Sequence, residues 1–195
     1  MAKAPAVLSG TPTEQRDFVT ACWNNQMDKV IDTVARAPDA VHWRRPDTQD
    51  TGLTYAAASG SMAYDVAVFL LGAGADIDAQ NNNGMTALMF GAREGSEAYV
   101  ELFLARGADQ SLRNNQGQTA EDIAIASGRQ SVADEFEKHR RRVVRAAEEE
   151  IQRAAAEKQK ILYDEVATIC GGTREDIVVK AAPAIKGRVP KPGNS

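Results

Sequence analysis

Apolar residues in this chain recur at three- and four-residue spacing, in short runs broken by glycine or asparagine. From Thr13, Phe18, Val19, Ala21 and Cys22 make one apolar patch; after Asn24-Asn25, Val30, Ile31 and Val34 make another. That spacing predicts two short amphipathic helices joined by a tight turn, an αα-hairpin. Val66, Val68, Phe69, Leu70 and Leu71 supply the core of a second such unit. Tyr99, Val100, Leu102, Phe103 and Leu104 supply that of a third. After Gly128 the pattern changes. Residues 131–169 contain no Gly or Pro and are dense in Ala, Glu, Arg and Lys, the composition of a long helix. Phe136, Val143, Ala147, Ile151, Ala154, Ile161 and Val166 trace an apolar stripe along it, interrupted by Arg140 and Lys158. Asp134 with Lys138, Glu137 with Arg141 and Glu149 with Arg153 fall at the i,i+4 spacing that supports a helix. At about 1.5 Å per residue this helix would run roughly 60 Å, further than four hairpins can cover. Gly171-Gly172 is a natural stop for it.

Superimposed on the helical pattern is a longer period. The stretch Gly74-Ala75-Asp76-Ile77-Asp78-Ala79-Gln80-Asn81-Asn82-Asn83-Gly84 returns 33 residues later as Gly107-Ala108-Asp109-Gln110-Ser111-Leu112-Arg113-Asn114-Asn115-Gln116-Gly117. A fixed period of that size marks a repeat array. Each copy leads into Gly-x-Thr-Ala, at Gly84-Met85-Thr86-Ala87 and Gly117-Gln118-Thr119-Ala120. A related run, Thr51-Gly52-Leu53-Thr54-Tyr55-Ala56-Ala57-Ala58-Ser59-Gly60, precedes both. These residues resemble the ankyrin repeat, with its T-P-L-H-x-A-A-x-x-G first helix and its L-L-x-x-G-A-D ending.

The resemblance implies an all-α solenoid of helix-turn-helix units with β-turn fingers, followed by a long C-terminal helix and an extended tail. Four repeats are expected over residues 13–138, at 13–45, 46–80, 81–113 and 114–138. A flexible arm (1–12) precedes them, and a helical extension (139–170) and a basic tail (171–195) follow. The first hairpin resembles a degenerate capping repeat, with Asn25 where the family has Gly, because that turn needs a positive φ. Ala40 to Asp47 is expected to form the extended finger leading to the second repeat. In that repeat Gly52 replaces the family's Pro. Gly60 to Gly74 is two residues longer than Gly95 to Gly107, which places a small insertion in the second helix or its exit turn. In the fourth repeat Glu121-Asp122 stand where the family has Leu-His, as suits a last repeat whose outer face meets water.

Charge is unevenly spread. Residues 1–128 hold 9 Lys and Arg against 16 Asp and Glu, and the remainder 14 against 11. An acidic body argues against nucleic acid as partner of the repeats. Cys22 and Cys170 are far apart and indicate no disulfide framework; Cys22 reads as a small core residue, while Cys170 could be a reactive thiol. His42 and His139 have no Cys or paired carboxylates nearby, so no metal site or cofactor is expected. Gly72 to Asp76 follows a helix rather than a strand, and the repeat turn accounts for it better than phosphate binding does. Arg140-Arg141-Arg142 reads as a solvated helix face, with Glu148-Glu149-Glu150 two turns later. There is no apolar run of signal-peptide or membrane-span length, and the chain is expected to be soluble and intracellular, in cytoplasm or organellar matrix.

What remains is a binding surface. In ankyrin proteins the finger tips and the exposed face of each first helix form a concave groove. The matching positions here are Trp23, Asn24, Arg44, Arg45, Asp47, Asp50, Gln80, Asn82, Asn83, Met85, Arg93, Glu94, Arg113, Asn115, Gln116 and Gln118. Trp23 would be an aromatic anchor, or would pack beneath Trp43. The expected function is a non-catalytic adaptor or accessory subunit that binds one or more proteins through groove, long helix and tail, with no small-molecule substrate. The competing readings are a free-standing inhibitor that occludes one target, an enzyme recruited through its repeats, and a homodimeric coiled coil through residues 136–166.

Overall fold

The computed structural model describes residues 10–170; the expectations for the first nine residues, for Gly171-Gly172 and for the tail fall outside them. The described residues form eight α-helices: α1 Pro12–Trp23, α2 Met27–Arg36, α3 Gly52–Ala58, α4 Tyr64–Gly72, α5 Ala87–Glu94, α6 Glu97–Ala105, α7 Ala120–Ala126 and α8 Gln130–Cys170. No strand occurs among them, and a single antiparallel bridge joins Arg44 to Thr51. The fold is the all-α repeat architecture expected, with a 41-residue last helix. It divides into two compact units, Met1–Arg141 and Arg142–Ser195.

In the first unit the inner helices α1, α3, α5 and α7 stack side by side, and α2, α4 and α6 pack against them as the outer layer. Every inner helix is started by a threonine. Thr11, Thr51, Thr86 and Thr119 accept a hydrogen bond from the backbone N–H three residues on, each worth about 1 kcal/mol. The inner-to-outer turns pass through Asn25, Gly60, Gly95 and Gly128, at φ of 53°, 69°, 81° and 69°. Asn25 thus adopts the left-handed conformation assigned to it from sequence.

The core is continuous, running from Phe18 and Cys22 through Leu53, Leu70, Leu88 and Phe103 to Val132 and Phe136. Tyr99, Phe103 and Phe136 are its largest fully buried side chains, and burying each contributes about 1.5–3 kcal/mol. The first three turns of α8, carrying Val132, Ala133 and Phe136, close the core in the fourth unit. Gly52 has a steric reason: a Cβ there would lie 2.8 Å from the Cys22 sulfur and 3.1 Å from the Phe18 ring. Cys22 is fully buried, and burial pushes its thiol pKa up.

Five local expectations need correction. Pro38–His42 is a 3₁₀ turn rather than an extended finger. It is started by Pro38 and pinned by the buried side chains of Ala40, Val41 and Trp43. The two extra residues of the second repeat lie before its outer helix, in the 3₁₀ turn Gly60–Ala63, since α4 and α6 are each nine residues long. Glu121 does not simply face water, and Arg140 is not part of a merely solvated face. Arg140 Nη1 and Nη2 donate to Glu121 at 2.7 and 3.1 Å, and Nη2 also reaches Glu137 at 2.9 Å. Of the three anticipated helix pairs, Glu137–Arg141 forms at 2.9 Å. Lys138 turns to Glu135 and Arg145 takes Glu149, because i,i+3 and reversed i,i+4 partners lie equally near on the helix surface.

Candidate functional site

The fingers between hairpins stack through asparagines. Asn82 donates its backbone N–H to the Thr48 carbonyl (3.0 Å) and its side-chain amide to the Asp47 carbonyl (2.9 Å). One repeat on, Asn115 does the same to the carbonyls of Asn83 (3.0 Å) and Asn82 (2.9 Å). A second row runs beside this one. Arg44 Nη1 donates to the Gln80 carbonyl at 2.8 Å, and Gln80 Nε2 to those of Gly84 (2.8 Å) and Arg113 (3.0 Å). Inside the second and third fingers a buried asparagine ties the loop: Asn81 Oδ1 accepts from the Asn83 and Met85 N–H groups, and Asn114 Oδ1 from those of Gln116 and Gln118, all at 2.9 Å. Asp50 is buried and accepts from Asn81 Nδ2 at 2.7 Å.

Against these fingers the inner helices present a repeating face. Tyr55, Phe90 and Ile123 each stand four residues after a capping threonine, and Ala58, Arg93 and Ala126 seven after it. Those offsets share one side of a helix. At the first end, Trp23 is 40% exposed and meets Tyr55 edge-on, ring centroids 5.7 Å apart. It does not pack beneath Trp43, which is itself buried against Phe18. Arg45 donates to the Tyr55 hydroxyl, lies over its ring at 5.8 Å and pairs with Asp47 at 2.9 Å. The bond to Tyr55 is the main reason its guanidinium pKa is raised. Asn24 ends α1, its N–H on the Thr20 carbonyl at 3.0 Å.

At the other end, Arg93 repeats the arrangement. It stacks over Phe90 at 4.8 Å and pairs with Glu94 at 3.0 Å. Beside it opens a cavity of about 520 Å³. Asn83, Met85, Arg93, Asn115, Gln116 and Gln118, all anticipated groove residues, line it. Arg113 stands outside that lining, 3.8 Å from Asp122, whose carboxyl pKa is lowered chiefly by the Thr119 backbone N–H. Asn114, Ile123, Ala126 and Ser127 also line the cavity and were missed from sequence. Their signal was available: Ala126 holds the register of Arg93, and Asn114 that of Asn81. No group of three or more His, Cys, Asp or Glu able to hold a metal occurs among the described residues. No helix among them is long and apolar enough to cross a membrane.

Comparison with known proteins matches these features. The family model for ankyrin repeats (3 copies) matches residues 53–139. The α1/α2 hairpin precedes that match. No curated protein matches the chain. Among solved structures, a chain from the crystal structure of the yeast ribosomal protein Rps3 in complex with its chaperone Yar1 is similar, with a TM-score of 0.62 and 22% identity over 66% of this chain and 94% of that one. At that identity the likeness establishes the fold.

Proposed function

We propose that this ankyrin-repeat chain is a non-catalytic binding module that holds a partner protein in its groove and serves as an adaptor or accessory subunit of a larger assembly. Ankyrin repeats support a protein-interaction role. The observation that carries the reading is the cavity beside Arg93, where polar side chains converge around an apolar floor, the usual make-up of a recognition site. For the adaptor role, the support is the second unit: Val143, Val144, Ile151, Ile161 and Leu162 are each at least half exposed on a helix rich in charge. Such a face is a candidate for a second contact.

A regulator that occludes a single target is the competing reading, and the groove alone would suffice for it. In the similar solved structure a ribosomal protein is in complex with its chaperone, which is compatible with such a role without assigning that partner here. Cross-linking mass spectrometry on the native full-length protein separates the two. Under the adaptor reading, Ile151→Asp with Ile161→Asp removes one set of cross-linked partners and Ala126→Trp another. If the helix variant loses nothing and a single partner disappears with Ala126→Trp, the regulator reading replaces it. If neither variant loses a partner, both readings fall.

A further inference from the structure

We infer that the cavity beside Arg93 takes an extended, uncharged peptide segment of the partner, reading its backbone through side-chain amides and one aliphatic side chain through its floor. The inference rests on the groove being the binding face. Its first support is hydrogen-bonding capacity. Among the described residues, the side chains of Asn83 and Gln116 make no hydrogen bond. Gln118 accepts from Asn114 at 3.2 Å through Oε1 and keeps both Nε2 hydrogens, and Asn115 commits Nδ2 to Asn82 and keeps Oδ1. These unspent donors and acceptors all sit on the cavity wall, whereas the side-chain N–H groups of Asn82 and Gln80 donate within and between the fingers.

A carboxamide offers the donor and acceptor that match a peptide group. A helical ligand has its mid-chain N–H and C=O groups bonded to itself, so such a wall favours an extended backbone. The second support is charge. Arg93 is the one charged residue among those lining the cavity, and it is already paired with Glu94 and stacked on Phe90. A charged ligand would lose hydration there without gaining an unpaired partner, which argues against charge as the main determinant. The third support is the floor, where Met85 and Ile123 are buried to 8% and 6% exposure beside Ala126. Methionine adapts to irregular apolar groups, so the floor fits Leu, Ile, Val or Met with little selection among them.

The test uses purified full-length protein against a phage-displayed library of linear 12-residue peptides. The expected result is enrichment of sequences with one aliphatic residue flanked by uncharged ones. In the best peptide, N-methylation at alternate backbone positions should weaken binding at least tenfold, because it removes the N–H the amides accept. Ala126→Trp and Gln116→Trp should each abolish binding; Gln116 lies exposed on a finger tip, so its variant is expected to fold even if the first does not. An acidic or basic consensus, or indifference to N-methylation, overturns the backbone reading while the groove stands. Enrichment of no peptide also overturns it, and the cross-linking comparison then decides the groove. Binding that survives both variants in folded protein overturns the groove itself.

Discussion

Gly84 sits at φ 72°, and a Cβ there would lie 2.8 Å from the Asn115 side-chain oxygen and 2.9 Å from its backbone nitrogen. Two constraints therefore meet at one residue: a left-handed turn and the close approach of the next finger. Gly84→Ala should lower stability by about 1–3 kcal/mol, the cost of a non-glycine residue held in that conformation. Gly117 has a similar φ of 77° with open space around it. Gly117→Ala should carry the backbone cost alone, so urea unfolding should rank Gly84→Ala as the more damaging. Equal losses would show that the finger contact contributes nothing. The period-33 repeat made both glycines legible as equivalent turns. It could not distinguish them, because the difference lies in whether another finger follows.

At the scale of elements, α8 changes role along its length. Phe136 is fully buried, while Ile151, on the same apolar stripe, is 70% exposed. Phe136→Ala should cost about 3–5 kcal/mol, the usual penalty for emptying an aromatic core site. Ile151→Ala should change stability by less than about 0.5 kcal/mol. Chemical denaturation of both variants measures the contrast. The stripe predicted the helix correctly but ranked these two residues alike, since periodicity records which side a residue faces and not whether anything covers it. The same blindness explains Arg140, whose partner Glu121 is 19 positions away. Hydrogen bonds from Arg140 and then Arg141 hold the Glu137 carboxyl below its ordinary value of 4.5. A depressed carboxylate adds stability above its unfolded pKa, and that contribution is lost as pH falls through the folded value. Arg140→Gln should therefore lower Tm more at pH 7 than at a pH below the folded Glu137 value, because protonation of Glu137 there removes its share of the clamp. An equal loss at both would mean the arginine acts through packing alone.

For the whole molecule, the question is where the repeat array ends. Sequence placed the last Gly-containing turn at Gly128, and everything after it changes composition. The core does not end there. Val132, Ala133 and Phe136 are buried in the same core as Ile123 and Ala124 of α7, and Glu121 is fixed by Arg140. In a repeat array each unit is stabilised mainly by its immediate neighbours, and a terminal unit without its outer helix leaves apolar surface exposed along its whole length. Truncation after Gly128 should accordingly strip the fourth repeat and, through α7, loosen α5, giving a broadened, early unfolding transition. Truncation after Arg141 retains every buried residue of the first unit and should unfold cooperatively, with a midpoint close to that of the full chain. Urea unfolding followed by circular dichroism distinguishes the two. If the longer truncation also unfolds early, residues beyond Arg141 contribute to the stability of the repeats, and α8 is a structural brace along more of its length than its first three turns.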